Sequence, residues 1–148
     1  MITATAPGKL MISGEYAVLE GAPAVVAAVD RRVLVRLEYA SHFGTPYGLE
    51  IRTDLSGEPA TRVDLGDVPA ARRTGPGAGF VAAVARYVVD ERFRGDPQSV
   101  PSSIDVRSIA LYDPERDVKL GLGSSAAVAV AVTAALLRGS ASDAVLVD

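Results

Sequence analysis

Late in the chain, Lys119-Leu120-Gly121-Leu122-Gly123-Ser124-Ser125-Ala126 runs straight into the apolar stretch Ala127-Val-Ala-Val-Ala-Val-Thr-Ala-Ala-Leu-Leu-Arg138. This junction of a glycine turn with an alanine-rich helix constrains the fold more than any other feature. The glycines permit tight turning and close approach of the backbone to a ligand. The first amides of the helix have no intrahelical acceptor and point outward. The helix dipole adds roughly half a positive charge at that end. Such a junction suits an anion, and phosphate is the usual guest. The hydroxyls of Ser124 and Ser125 add short donors, one of which is able to ligate Mg²⁺. Lys119 stands ready to pair with a phosphate.

Three readings of the junction compete on spacing alone. A Walker A loop requires G-x-x-x-x-G-K-[ST], and no such string occurs. A dinucleotide fingerprint G-x-G-x-x-A matches Gly121, Gly123 and Ala126, with Asp143 downstream as a ribose partner. That fold needs a long apolar strand leading into the turn, whereas here the polar segment 113–117 precedes it, with only Val118, Lys119 and Leu120 between. The third reading is a capped core helix that binds nothing.

Composition narrows the function classes. The chain has 148 residues, of which 49% are hydrophobic and 22% charged, which fits one domain with one core and excludes a largely disordered chain. It has no cysteine, which rules out a disulfide scaffold and a thiolate metal site and fits a reducing compartment. A single histidine, His42, excludes chemistry that needs two imidazoles; on a loop by composition, it reads as a solvated side chain. A pI of about 5.2 argues against nucleic acid as the main partner. The N-terminus has no basic segment followed by an apolar one, and the apolar run from Ala126 to Leu137 is too short to span a bilayer. A cytoplasmic protein with no membrane partner is expected. Only two of the 15 basic residues are lysines, Lys9 and Lys119; a lysine kept where arginine is otherwise used suggests a site that needs a compact ammonium.

Along the chain, residues 2–6 alternate as a strand that Pro7-Gly8 is expected to break, with an extended path resuming from Leu10 to Ser13. Gly14 and Gly21 bracket a turn-rich segment. Ala24 to Val29 and Val33 to Tyr39 read as two strands joined by a hairpin at Asp30-Arg31-Arg32. Leu49 to Leu55 and Thr61 to Leu65 read as two more. The loop 66–77 contains Arg72 and Arg73, read as solvated. Phe80, Val81, Val84 and Val88 recur at helical spacing within a helix expected over Ala78 to Phe93. Ser103 to Leu111 alternates as a strand, and 113–117 is a polar turn. Ser142-Asp143 resembles an N-cap for a segment beginning at Ala144. A helix cut so short is marginal, so a longer parent protein is expected, and the core face severed there would favour a homodimer.

The second motif-like stretch is Ala6-Pro7-Gly8-Lys9-Leu10-Met11-Ile12-Ser13-Gly14-Glu15, followed by Tyr16. Taken with Gly121-Leu122-Gly123-Ser124-Ser125-Ala126-Ala127, in this order, it resembles the GHMP kinase superfamily. Residues 6–15 match the first motif of that family, A-P-G-K-x-x-x-x-G-E, and residues 121–127 match the core of its second. Tyr16, where mevalonate kinases usually carry histidine, and Lys119, two residues before the glycine turn, are most similar to the phosphomevalonate kinase branch.

The resemblance implies an α+β fold, a mixed sheet packed against helices, like the N-terminal domain of a GHMP kinase and the second domain of ribosomal protein S5. It implies one N-terminal ATP-binding domain over 1–148, without the C-terminal domain. It implies ATP phosphates on Lys119, Gly121, Leu122, Gly123, Ser124, Ser125 and Ala126, Mg²⁺ on Ser125, and a catalytic Lys9 near the reacting oxygens. Lys9, Glu15, Tyr16 and Lys119 would shape the site for a small-molecule acceptor, 5-phosphomevalonate or, as alternatives, mevalonate or another sugar or alcohol; a further alternative is a nucleotide-binding fragment with no catalysis of its own. One departure is Asp117, where the family usually has proline. Asp143 and Asp148 lie in no motif, so no general base is assigned; the family's catalytic aspartate comes later than its second motif, and 148 residues alone are expected to be inactive.

Overall fold

The computed structural model describes residues 1–40, 44–54, 59–67, 75–113, 115–116 and 118–139. His42, Arg72, Arg73, Asp117, Asp143 and Asp148 lie outside the described residues, as does the N-cap expected at 142–143.

Seven strands and two α-helices make up the described fold, with short 3₁₀ turns between them. The strands are β1 (Ile2–Ser13), β2 (Val25–Glu38), β3 (Gly48–Thr53), β4 (Thr61–Asp64), β5 (Ser103–Arg107), β6 (Tyr112–Asp113) and β7 (Val118–Lys119). The helices are α1 (Pro76–Phe93) and α2 (Ser124–Gly139). The first five strands form one sheet in the order β1-β2-β5-β3-β4. Only the β3–β5 pair is parallel, so the sheet is mixed, as expected. β6 and β7 form a separate two-stranded ribbon.

Alternation in the strands sets the buried face. Ala4 and Ala6 of β1, with Val33, Val35 and Leu37 of β2, point into the core, while Thr3, Thr5 and Arg36 face solvent. The helices cover the buried face: α2 packs on β1 and β2, and α1 packs on α2 and β3. The buried stripe of α2 is Ala127, Val128, Ala131, Val132, Ala135 and Leu136, at i, i+3, i+4 spacing. Five of these six are alanine or valine side chains small enough to let the helix axis approach the sheet closely. No helix among the described residues is long and apolar enough to cross a membrane.

Three expectations are corrected. Pro7-Gly8 does not end a strand, and Asp30-Arg31-Arg32 is not a hairpin. β1 and β2 pair antiparallel along nearly their whole length, and the register slips from Pro7 opposite Arg32 to Gly8 opposite Val29. Asp30 and Arg31 are thereby left as a bulge. Proline has no N–H to give the ladder, and a bulge absorbs that loss without turning the chain back. Second, Phe80 is 39% exposed, and the buried face of α1 is Ala78, Val81, Ala82, Ala85, Val88 and Val89. Small alanines, which carry little weight in a periodicity count, make the real contact. Third, the strand expected from Ser103 to Leu111 stops at Arg107 and gives way to a 3₁₀ turn, Ile109–Leu111.

A same-chemistry comparison checks the packing of α2. Val132→Ala, at a fully buried position, is expected to cost about 1–3 kcal/mol. Val130→Ala, at a position 59% exposed, is expected to stay within about 0.5 kcal/mol of the parent. Urea unfolding followed by circular dichroism separates the two; equal losses would mean that α2 is rotated from the face described.

Candidate active site

The glycine turn is assembled from contacts that no local sequence pattern could supply. The 3₁₀ turn Ile109–Leu111 follows β5 and delivers Leu111, 1% exposed, beneath β1. The Leu111 carbonyl then accepts the Leu120 amide at 3.1 Å, closing the β6–β7 ribbon around Asp113. Asp113 in turn accepts the amides of Glu115 and Arg116 through Oδ1, at 3.0 and 3.3 Å. Asp113 thus stabilises its side of the expected polar turn through side-chain-to-backbone bonds. Gly121 and Gly123 both take positive φ, 70° and 67°, which lets the chain reverse twice within three residues. The first closed turn of α2 runs from the Ala127 amide to the Gly123 carbonyl, 3.1 Å. Ahead of it, the amides of Ser124, Ser125 and Ala126 have no acceptor within the helix.

β1 meets this turn from the side. The Lys9 amide donates to the Leu122 carbonyl at 2.8 Å. A Cβ placed on Gly123 would lie 2.8 Å from Lys9 Cγ and 3.2 Å from Lys9 Cε, so the lysine stem lies flat against the bare glycine. Gly8 has the same kind of role, which sequence reasoning took only as a strand breaker. A Cβ there would be 2.9 Å from Leu111 Cδ2 and 3.0 Å from the Leu122 carbonyl oxygen. A glycine inside a strand, next to a proline, was the available signal for close backbone approach.

Of the residues singled out from sequence, Lys9, Gly121, Leu122, Gly123, Ser124, Ser125 and Ala126 are brought together in this way. Lys119 sits on β7, across from Tyr112, and its Nζ is 6.0 Å from the centroid of that ring. It borders the turn from the ribbon side. Glu15 and Tyr16 lie past the end of β1 and are exposed, Tyr16 to 80%. At a rise of roughly 3.3 Å per residue, the strand carries the chain about 13 Å from Lys9 to Ser13. Neither Glu15 nor Tyr16 hydrogen-bonds the glycine turn among the described residues. The ammonium, the helix N-terminus and two hydroxyls thus form one solvent-open surface receptive to a polyanion. Arg31 and Asp54, which no motif marked, touch the 3₁₀ turn that supports it.

No family model matches the chain. The phosphomevalonate kinase of Streptomyces sp. (strain CL190) is 33% identical over 139 residues, covering 88% of this chain and 36% of that protein. The mevalonate kinase of Pyrococcus horikoshii is 29% identical over 138 residues, covering 93% of this chain and 38% of that protein. The homologues of this chain are mevalonate kinases and phosphomevalonate kinases, which belong to the GHMP family. The phosphomevalonate kinase of Streptococcus pneumoniae, solved in complex with phosphomevalonate and AMPPNP, superposes with a TM-score of 0.70 at 24% identity. That alignment covers 100% of this chain and 39% of the other. The Methanococcus jannaschii mevalonate kinase superposes at 0.68 and 14% identity. The fold is therefore that of the N-terminal domain of the GHMP kinases. The chain spans under two fifths of the length of the GHMP kinases it matches in sequence.

The two glycines of the turn give different outcomes on substitution. Alanine at either position strains a left-handed backbone by about 1–2 kcal/mol. Around Gly121 a methyl group meets nothing within 4 Å, whereas at Gly123 it collides with the Lys9 stem. Gly123→Ala is therefore expected to be the more destabilising and to displace the Lys9 amide resonance; Gly121→Ala should leave that resonance in place. Guanidinium unfolding and amide NMR read both effects, and equal losses with an undisturbed Lys9 would contradict the contact.

Proposed function

We propose that the chain is the nucleotide-phosphate half of a mevalonate-pathway GHMP kinase that transfers the γ-phosphoryl group of MgATP to 5-phosphomevalonate. The observation that carries this reading is the Lys9 stem lying against Gly123 while the Lys9 amide binds the Leu122 carbonyl. It supports the reading because the lysine stem then runs beside the start of α2, whose first amides have no acceptor within the helix. Phosphoryl transfer makes few demands beyond positioning and the neutralising of charge on phosphate oxygens, and these groups supply both.

In the proposed reaction, the bond from the γ-phosphorus to the β–γ bridging oxygen breaks as an oxygen of the acceptor's phosphate bonds to that phosphorus. ADP leaves, and 5-diphosphomevalonate forms. The amides of Ser124, Ser125 and Ala126 and the Ser124 hydroxyl hold nucleotide phosphate oxygens. Lys9 offsets charge on the oxygens in flight. Lys119, and Glu15 with Tyr16, border the acceptor side.

Among the described residues, no group of three or more acidic or histidine side chains is placed to hold a metal. Mg²⁺ usually keeps several waters and binds substrate phosphates rather than sitting in an all-protein cage. The Ser125 hydroxyl would be its protein ligand, and the ion would supply charge neutralisation between phosphate groups.

Mevalonate is the second reading for the acceptor, favoured by the mevalonate kinases among the relatives. Lys119 favours the phosphorylated acceptor, since a second cation suits a second phosphate, and Tyr16 favours it through the motif resemblance alone. The 148 residues alone are expected to bind MgATP without turnover, and a protein extending to the length of the relatives is expected to turn over.

Titration of the chain with MgATP tests the site. Lys9→Met and Ser125→Ala are each expected to weaken binding roughly 10-fold or more, the scale of one lost hydrogen bond to a charged group. Affinity unchanged in both variants would overturn the site. In the extended protein, turnover with 5-phosphomevalonate should exceed that with mevalonate; the reverse order would transfer the proposal to mevalonate.

A further inference from the structure

The glycine turn is supported by a 3₁₀ turn of only three residues, and two oppositely charged side chains from distant parts of the chain hold that turn, one at its opening amides and one at its central carbonyl. We infer that Asp54 and Arg31 are positioning residues that clamp Ile109–Leu111 and thereby fix the glycine turn and Lys9 relative to each other. The inference rests on the reading of that turn as a nucleotide-phosphate site.

Asp54 follows β3. Its carboxylate accepts the Ser108 amide at 2.8 Å, the Ile109 amide at 2.9 Å and the Ser108 hydroxyl at 3.1 Å. Ser108 itself is fully buried. A carboxylate on the opening amides of a turn is the favourable sense of charge against the backbone dipole, and hydrogen bonds to an ionised group are among the stronger ones. At the central residue of the turn, Arg31 Nη1 donates to the Ala110 carbonyl at 3.0 Å, a cation on a carbonyl being again the favourable sense.

Arg31 is able to reach because it lies in the bulge of β2, where Pro7 and Gly8 shift the register. The bulge frees the side chain from the ladder and aims it at the turn. The same irregularity brings Gly8 over Leu111. Three consequences of one register slip therefore converge: a cation on Ala110, room above Leu111, and a Lys9 amide aligned with the Leu122 carbonyl.

A residue that serves only global stability would speed exchange of amides everywhere. A clamp loosens the glycine turn selectively. The test compares Arg31→Met, Arg31→Lys and Asp54→Asn in the 148-residue chain. Amide hydrogen exchange is read by NMR at Lys9 and Leu120, with Val88 and Val89 of α1 as controls, and MgATP affinity is measured alongside. Arg31→Met is expected to speed exchange at Lys9 and Leu120 about three- to tenfold, the range of one partly exposed hydrogen bond, with α1 unchanged. MgATP binding should weaken by a similar factor. Arg31→Lys, which keeps the charge, should restore most of both, and Asp54→Asn should shift the same two amides. Because Arg31 is exposed, its variants test the clamp even where Asp54→Asn fails to fold.

Unchanged exchange at Lys9 and Leu120, or a rise that α1 shares, overturns the clamp. So does faster exchange with unaltered MgATP affinity. If the parent chain binds no MgATP, the nucleotide reading falls, and the exchange pattern alone still decides whether Asp54 and Arg31 fix the turn.

Discussion

One backbone hydrogen bond, from the Lys9 amide to the Leu122 carbonyl, joins the two ends of the described chain at the point where chemistry is expected. Alone it contributes about 1 kcal/mol, far too little to hold two segments against their conformational entropy. It persists because everything around it is fixed by burial. Leu111 lies under Gly8, and α2 lies along β1 and β2 with a fully buried stripe. The bond reports the alignment of the sheet with the helix N-terminus, and any change that shifts one against the other breaks it.

The same alignment sets positive features side by side. The Lys9 ammonium and the N-terminal end of α2, which carries roughly half a positive charge, repel each other weakly, and water screens them because Lys9 is exposed. A fold optimised for stability alone would put an acid there. Acids do stand where backbone amides need them in this chain: Asp113 closes the ribbon and Asp54 caps the 3₁₀ turn. Their absence from the α2 N-terminus, where Gly123, Ser124 and Ser125 stand instead, leaves the positive end unneutralised. The surface is thus poised for an anion supplied from outside.

Much of this was legible in the sequence wherever local chemistry decides. The glycine turn and α2, the strands β3 and β4, and the helix α1 follow from turn residues and periodicity, and Lys9 stood out because lysine is scarce. The rest depends on contacts between distant residues. Whether Pro7-Gly8 ends a strand or bulges it is decided by β2, which offers a partner on both sides of the slip. Ser103 to Leu111 alternates well, yet the strand ends at Arg107 because Asp54 captures the next two amides for a turn. Phe80 fits the helical spacing but faces outward, since alanines at 78, 82 and 85 allow a closer packing than an aromatic ring would. Arg31 carries no local mark at all; only the bulge makes it a ligand of Ala110.

The parts of the site are spread over strand β1, the bulge of β2, the segment after β3, the turn after β5 and the start of α2. None of them is completed by its neighbours in sequence. Loop-closure entropy opposes such contacts, so the final shape of the glycine turn depends on the register of β1, β2, β5 and β3. Local sequence can therefore specify the turn's freedom, through Gly121 and Gly123, but only the assembled sheet removes that freedom. A phosphate-sized surface made in this way is rigid where the sheet and the clamp meet it. On the ribbon side, Lys119 stands with its ammonium 6.0 Å from the centre of the Tyr112 ring.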